Sequence, residues 1–311
     1  MLNQYLPEGS IISTLENQEY LYSLSCLEKA MEKQKILEAN VLLCDNDFNL
    51  HVDLRCCKGI MPRNEVQYTP LGEQVKDIAV LTRVGKPICF IVTGFAKNER
   101  GETYALLSRR AAQIECSENY ISNLLTGDII PSKITHMENF GAFVDIGCGI
   151  VSLLSIDCIS VSRISHPRDR FSVGDKIYTV VKMIGDDGRI YVSHRELLGT
   201  WEENASLFSA GQTVAGTIRS IESYGVFVEL MPNLAGLAEL KGGVKINQTA
   251  AVYIKSIIPD KMKIKLIIID SHTETEAKKE LRYFIDPKKT PHIDFWSYSP
   301  YDSEKVIQTI F

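Results

Sequence analysis

The amino-acid sequence repeats itself, and a repeated supersecondary unit constrains the fold more strongly than any other feature of the chain. Residues Phe140–Ile146 return as Tyr224–Leu230, 84 positions later, with the pattern aromatic, Gly, small, Phe, Val, acid, aliphatic. Gly127 and Gly211, which open the two copies, are also 84 positions apart. Two landmarks at one offset make a chance match improbable, so the chain contains at least two copies of one unit.

The copies differ in length and in how well they keep the pattern. Val181–Ile184 corresponds to Ile254–Ile257 at an offset of 73, so the later copy has lost 11 residues. The natural place for the loss is the Pro-containing, charged stretch 162–171, which has the composition of a surface loop. Phe48–Leu54 fits the same template upstream, with Asn in place of Gly and His in place of the second aromatic residue. This weaker match predicts a third, divergent copy.

Short apolar alternations within each copy predict strands. Ala142, Val144 and Ile146 alternate with Phe143 and Asp145, which is the period of a half-buried strand. About five such strands per copy, separated by Gly, Asp and Asn turns, indicate a small β-barrel. Because strand side chains alternate in direction, Phe143 and Asp145 are expected to point outward if the other three fill the barrel.

The repeat offsets and the composition between copies give the predicted domain organisation. The fold class is all-β with connecting helices: three tandem five-stranded barrels. The predicted parts are a helical segment 1–33, a divergent barrel 34–113, a helical linker 114–126, a barrel 127–199, a helical linker 200–210, a barrel with a shortened loop 211–271, and a C-terminal helix with an aromatic tail 272–311. For that tail we favour a helix followed by an aromatic strap packed on a barrel, and the alternative is an RNA-stacking tail.

Charge, cysteine usage and missing motifs narrow the class of protein. The formal net charge of −5 argues against a protein that coats nucleic acid by charge alone, although a local basic site remains compatible with it. The eight cysteines are scattered without a C-x-x-C pair, which favours reduced cytoplasmic thiols over disulfides or metal. We expect no membrane segment, no cofactor, no small-molecule substrate and no enzymatic activity, since no catalytic motif is present.

The repeat resembles a known family. The stretch Phe140–Gly147, followed by Val151–Leu154, Val173–Asp175 and Arg189–Ser193, is similar to the S1 RNA-binding domain, a five-stranded OB-fold barrel. The resemblance is strong for residues 127–197, good for 211–270 and suggestive for 35–112. The array as a whole looks like the short, multi-domain relatives of ribosomal protein S1 in Gram-positive bacteria. It implies OB-fold barrels and binding of single-stranded RNA.

The resemblance also implies site residues. On the binding face of S1 domains lie two aromatic residues, a His, and an Asp and Arg near the last two strands. The matching positions of the two later copies are Phe140, Phe143, Asp187, Arg189, Tyr224, Phe227, Asp260 and Lys263. The His position is occupied by Ser155 in one copy and by Glu239 in the other, and a carboxylate there would repel phosphate. The first copy lacks a clear Asp and Arg pair, so we expect it to be a structural or protein-contacting module.

Further candidates follow from the residues themselves. The loop of the middle copy is the richest basic element, and arginine suits phosphate and base contacts; its members are Arg163, His166, Arg168 and Arg170. Lys133 and Arg219 are expected to point outward from the first strand of their copies and to line the groove. Two plainer readings stay open: Asp169 could neutralise a merely solvated loop, and another segment could cover Phe143.

Together these features predict a cytoplasmic protein that binds single-stranded RNA. An outward aromatic side chain can stack on an unpaired base. The expected partners are mRNA or rRNA, and the resemblance adds the small ribosomal subunit. The alternative is a tandem OB-fold scaffold for protein interactions that has lost direct RNA binding, which the acidic balance, Ser155 and Glu239 suggest.

Overall fold

The computed structural model describes residues 5–69, 75–273 and 281–311, and strands make up most of its regular structure. Three closed five-stranded barrels follow one another along the chain, which confirms the predicted fold class. In each barrel the strands run in the order first, second, third, fifth, fourth, and the third pairs in parallel with the fifth. Their bounds are β1 Leu37–Cys44, β2 Leu50–Asp53, β3 Lys58–Met61, β4 Pro87–Lys97 and β5 Thr103–Ser108; β6 Ile129–Glu138, β7 Gly141–Asp145, β8 Val151–Ser155, β9 Lys176–Ile184 and β10 Ile190–Ser193; β11 Thr213–Glu222, β12 Gly225–Met231, β13 Leu234–Ala238, β14 Thr249–Ile258 and β15 Lys263–His272.

Helices are short and lie at barrel ends and junctions. They are α1 Leu15–Tyr20, α2 Leu24–Glu32, α3 Asp77–Leu81, α4 Arg109–Asn119 and α5 Trp201–Ala205. The helix after the first barrel begins earlier than the predicted 114, because Ser108 caps it by accepting the Ala111 amide at 2.8 Å. Within the described ranges, none of the helices combines the length and apolar character that a membrane span needs. The charged part of the predicted C-terminal helix, 274–280, lies outside the described residues.

Contacts group the chain into two compact units. The first comprises Met1–Leu124, Pro131–Lys133 and Asp145–Val151, and the second comprises Leu125–Ile130, Ile134–Val144 and Ser152–Phe311.

The first unit contains a buried ion pair that joins residues far apart in the sequence. The Glu8 carboxylate accepts from Arg109 Nε at 2.6 Å and Nη2 at 3.1 Å, and both side chains are almost fully buried. Burial raises the pKa of the Glu8 carboxyl, but the charge and hydrogen bonds of Arg109 outweigh burial and hold that pKa at about 2. Gly149 lies so close that an added Cβ would clash with the guanidinium. This position must therefore remain glycine while Arg109 keeps its place.

The same segment corrects one sequence prediction. Asp145 was expected to face outward, yet it is only 1% exposed because residues 5–9 cover it. Its Oδ2 accepts the Glu8 amide at 2.8 Å, and its Oδ1 accepts the amides of Gly147 and Gly149. Burial and then the charge of Glu8 raise the pKa of Asp145 to about 6. The carboxylate therefore anchors a chain segment instead of standing free on the barrel surface.

The second unit contains the C-terminal segment, which is packed on barrel residues. Trp296 and Tyr298 are buried in the core of the last barrel, and Tyr298 donates to the Asn233 carbonyl at 2.5 Å. The short hairpin β16 Phe295–Ser297 and β17 Gln308–Ile310 forms part of this segment. Trp296 and Tyr298 therefore pack against the last barrel and are not available for stacking on RNA.

His194 links this segment to the middle barrel's last strand. His194 is fully buried; its Nδ1 lies 3.0 Å from the Ile159 carbonyl and its Nε2 lies 3.3 Å from the Tyr283 hydroxyl. A carbonyl can only accept, so Nδ1 carries the proton and Nε2 accepts from Tyr283. Burial lowers the pKa of His194 to about 4. The neutral ring is therefore the form that fits the fold.

This burial predicts loss of stability in mild acid. An unfolded histidine titrates near pKa 6.5, so between pH 6.5 and 4 the unfolded chain binds the extra proton and stability falls as the pH falls. We expect the second unit to lose about 2 kcal/mol between pH 7.5 and pH 5. Both tryptophans, Trp201 and Trp296, lie in the core of this unit, so urea unfolding monitored by tryptophan fluorescence measures its loss of stability. H194Q should remove most of this pH dependence. If the free energy of unfolding of that variant falls with pH as steeply as that of the parent, other groups cause the dependence.

Candidate nucleic-acid interface

An exposed aromatic pair stands on the hairpin between β6 and β7. Phe140 in the turn is 56% exposed and Phe143 on β7 is half-buried, whereas its neighbours Ala142 and Val144 are completely buried in the barrel. The two rings meet edge to face, with centroids 6.0 Å apart and planes at 90°. Gly141 allows this hairpin, since an added Cβ would lie 2.5 Å from the Leu154 carbonyl oxygen. The alternation along β7 thus presents Phe143 as expected.

The last barrel carries the same pair. Tyr224 is 67% exposed, and its ring meets Phe227 edge to face at 6.1 Å and 89°. Gly225 again permits close strand packing, with an added Cβ 2.6 Å from the Ala238 carbonyl oxygen. The repeat in sequence is therefore also a repeat in side-chain geometry, and each pair offers an aromatic surface to solvent.

A third ring, which the sequence analysis missed, extends the pair on the middle barrel. His136 stacks on Phe143 with centroids 6.1 Å apart and planes at 24°, and its Nε2 lies 2.7 Å from Glu138 Oε1. Simple alternation from Ile134 places Thr135 outward and His136 inward. The last barrel shows why this fails at the equivalent strand: a β-bulge at Arg219 lets Ser220 pair with Phe227. The outward direction of His136 could not be predicted, because the alternation of apolar residues does not reveal a bulge.

The basic loop of the middle barrel divides into exposed and buried arginines. Arg163 and Arg168 are exposed. The Nδ1 atom of His166 accepts the Arg168 amide at 3.0 Å and caps a 3₁₀ turn at Pro167–Asp169. Arg170 corrects the prediction: it is 8% exposed, and its Nη2 donates to Glu229 Oε2 at 2.5 Å. Arg170 joins two barrels and presents no charge to a ligand.

Arg219 belongs to the same buried cluster. Its Nε donates to Glu229 Oε2 at 2.8 Å, and its Nη1 lies 3.7 Å from Asp169 Oδ1. Glu229, at the repeat position of Asp145, thus pairs with two arginines. The expectation that Arg219 lines an open groove is corrected, because its guanidinium holds the last barrel to the loop of the middle one.

Three further residues that were predicted to contact RNA differ in how accessible they are. Lys133 donates from Nζ to the Glu8 carbonyl at 2.7 Å, so its ammonium is occupied within the first unit. Asp187 and Arg189 stay together at the β9–β10 hairpin, with Arg189 Nε 3.3 Å from Asp187 Oδ2 and both side chains largely exposed. These two remain candidates for contact with a ligand.

On the last barrel, Asp260 lies in an exposed 3₁₀ turn, Pro259–Lys261, and Lys263 is the exposed first residue of β15. Glu239 is exposed just beyond the end of β13. The last barrel therefore presents Tyr224, Phe227 and Lys263 on its surface, with Glu239 as an opposing charge.

The first barrel presents a different surface. His51 is bonded to Asp45 Oδ2 at 3.0 Å, and the Arg63 guanidinium lies 4.9 Å from the Phe48 ring centroid. Phe48 therefore stacks on a cation of its own barrel and has His51, not a second phenylalanine or tyrosine, at the paired position. The candidate interface consists of the two later barrels.

Comparison with known proteins supports one of these two barrels. Residues 124–195 match the model of the S1 RNA binding domain, which confirms the resemblance for the middle barrel. A Bacillus subtilis protein called small ribosomal subunit protein bS1 homolog is 26% identical over 295 residues, which cover 92% of this chain and 72% of that protein. The small ribosomal subunit protein bS1 of Leuconostoc lactis is 31% identical over 152 residues, which cover 48% of this chain and 34% of that protein. In that case the chain matches about a third of the relative's length.

Among solved structures, a multidomain protein with nucleic acid binding domains from Streptococcus pneumoniae matches at 12% identity. That match covers 76% of this chain and 74% of the other, with a TM-score of 0.25.

Proposed function

We propose, from the S1 domain match of the middle barrel and its exposed aromatic pair, that this chain binds single-stranded RNA and acts in translation without catalysing a reaction. The expected ligands are mRNA or rRNA, and the place of action is the cytoplasm, near the small ribosomal subunit. The names of the similar proteins support this context. The specific role at the ribosome is part of the proposal.

The exposed pair Phe140 and Phe143 is the observation that carries the proposal. An apolar ring in contact with water contributes binding free energy when a ligand covers it, and the flat face of an unpaired base is a suitable cover. Stacking contributes roughly 1 to 3 kcal/mol per base and accepts any base. Bases inside a duplex cannot reach these rings, so single strands are favoured.

Charge sets a limit on the expected affinity. Several predicted cations are occupied: Arg170 and Arg219 by Glu229, and Lys133 by a carbonyl. The exposed cations near the aromatic surfaces suffice for roughly two to four phosphate contacts, and each contributes a slope of about −0.7 to log K against log salt on a single strand. We therefore expect modest affinity with a shallow salt dependence.

A direct titration tests the proposal. Fluorescence anisotropy of a labelled single-stranded RNA of about 20 nucleotides, and of the same sequence as a duplex, would be measured at 50 and 200 mM salt. We expect tighter binding to the single strand and a log–log slope between about −1.4 and −2.8. Equal affinity for the duplex, or no binding at the lower salt, would contradict the proposal and favour a protein-interaction scaffold.

A further inference from the structure

The outer face of the last barrel carries one continuous row of paired residues. Ser220 pairs with Phe227, Phe227 with Leu237, Leu237 with Lys265, and Lys265 with Ser256. Directly paired residues on neighbouring strands point to the same side of a sheet. A ligand that stacks on Phe227 therefore lies two strands away from the Lys265 ammonium.

The middle barrel has a different residue at the lysine position of this row. Tyr191 on β10 pairs with Leu153 on β8 and with Met183 on β9, as Lys265 pairs with Leu237 and Ser256. Tyr191 and Leu153 are half-buried, and Met183 is 50% exposed. Phe143 stands at the repeat position of Phe227, which pairs with Leu237 in the last barrel. Since His136 stacks on Phe143, the equivalent row of the middle barrel consists of aromatic and apolar side chains.

The two rows also differ in available charge. Lys261, Lys263 and Lys265 are all exposed, and no hydrogen bond or ion pair joins their ammonium groups to any other residue in the described ranges. At the corresponding hairpin of the middle barrel, the exposed cation is Arg189, whose guanidinium is paired with Asp187 at 3.3 Å. The last barrel therefore has unpaired lysines beside its row, against which Glu239 and Asp260 are exposed opposing charges.

We propose that the two barrels divide the binding of one RNA strand: the middle barrel holds bases on the row His136, Phe143 and Tyr191, while the last barrel neutralises phosphates with Lys263 and Lys265. This inference rests on the proposed function and adds to it. Neither Lys265 nor Tyr191 follows from the family pattern used above. Both follow from the strand register, which places them at one equivalent position.

The division has a measurable consequence, because stacking and phosphate contacts respond differently to salt. A lysine that neutralises a phosphate releases counterions, so its loss flattens the salt dependence. Loss of a stacking ring weakens binding by a similar factor at every salt concentration. The two kinds of variant should therefore change different parameters of one titration series.

The experiment compares variants of the full chain in the anisotropy assay at 50, 100 and 200 mM salt. K263Q/K265Q should reduce the magnitude of the log–log slope by about 1.4. Y191A should weaken binding about 5- to 150-fold with the slope unchanged. The reciprocal change Y191K should steepen the slope by about 0.7. K288Q/K289Q, which removes two exposed lysines outside the barrels, makes the same change in net charge and should leave the slope within error of the parent.

The outcomes separate the two proposals. If the unchanged protein binds no RNA, the proposed function fails and the division fails with it. If it binds but K263Q/K265Q and K288Q/K289Q give the same slope, the division is wrong while RNA binding stands. Since all four lysines are exposed, these variants are expected to keep the parent's circular dichroism spectrum, so they test the division even if Y191A does not fold.

Discussion

Replacing Arg109 with methionine should lower the free energy of unfolding by about 3–5 kcal/mol. Arg109 is 1% exposed and gives two hydrogen bonds to Glu8. Without it, the buried carboxylate would keep Arg83, 3.4 Å away, and the Cys89 amide at 3.1 Å. The loss should show as a lower urea midpoint with an unchanged m-value, measured by circular dichroism.

Two controls identify the cause. R110M changes the next residue, whose guanidinium is 46% exposed and 3.7 Å from Glu65, and it should cost less than about 1 kcal/mol. The defect of R109M should also shrink as the pH falls toward 5, because the arginine would no longer hold the pKa of Glu8 at about 2 and protonation would remove the buried charge. Equal losses in R109M and R110M would show that the ion pair is not what stabilises this unit.

Removing both rings of the middle pair, F140A/F143A, should weaken binding of single-stranded RNA by roughly 2 to 6 kcal/mol, from about 1 to 3 kcal/mol for each of two stacked bases. The reason is that the two rings lie edge to face and offer separate surfaces to the strand. Anisotropy titration measures the change, and circular dichroism checks that the barrel is folded.

The last barrel supplies the matched control, because Y224A/F227A removes an equivalent pair at nearly the same ring separation and angle. With His136 and Tyr191 added to the middle row, the middle pair should contribute more than the last one. A larger loss in Y224A/F227A than in F140A/F143A would move the principal stacking site to the last barrel.

Local patterns sufficed to predict the barrels. The alternating residues Ala142, Val144 and Ile146 are all at most 1% exposed. The strands that bury them belong to the same copy, so the local sequence pattern was enough to predict their burial. The repeated aromatic pair was predictable for the same reason, since Phe143 and Phe227 occupy outward positions of the same strand.

The predictions that failed concerned residues that are buried by distant parts of the chain. Asp145 is buried by Glu8, and Arg170 is buried by Glu229, 59 residues later. Nothing in the alternation around a residue shows that a distant segment will cover it. The position of Ser220 depended on a bulge, which changes the direction of every following side chain. Burial by remote segments is therefore the reason why charged groups were assigned to the wrong surface, and the local register shift is the reason why His136 was missed.

The ion pair of the first unit has a consequence for the order of events during protein synthesis. Glu8 is made first, but its partner Arg109 follows 101 residues later and the Asp145 carboxylate 137 residues later. At about 5–20 residues per second, Glu8 leaves the peptidyl-transferase centre about 5–20 s before Arg109 is added to the chain. The Glu8–Arg109 ion pair cannot form during that interval, so Glu8 lacks its principal charged partner while the first barrel is being synthesised. Completion of this unit is thus timed by translation itself.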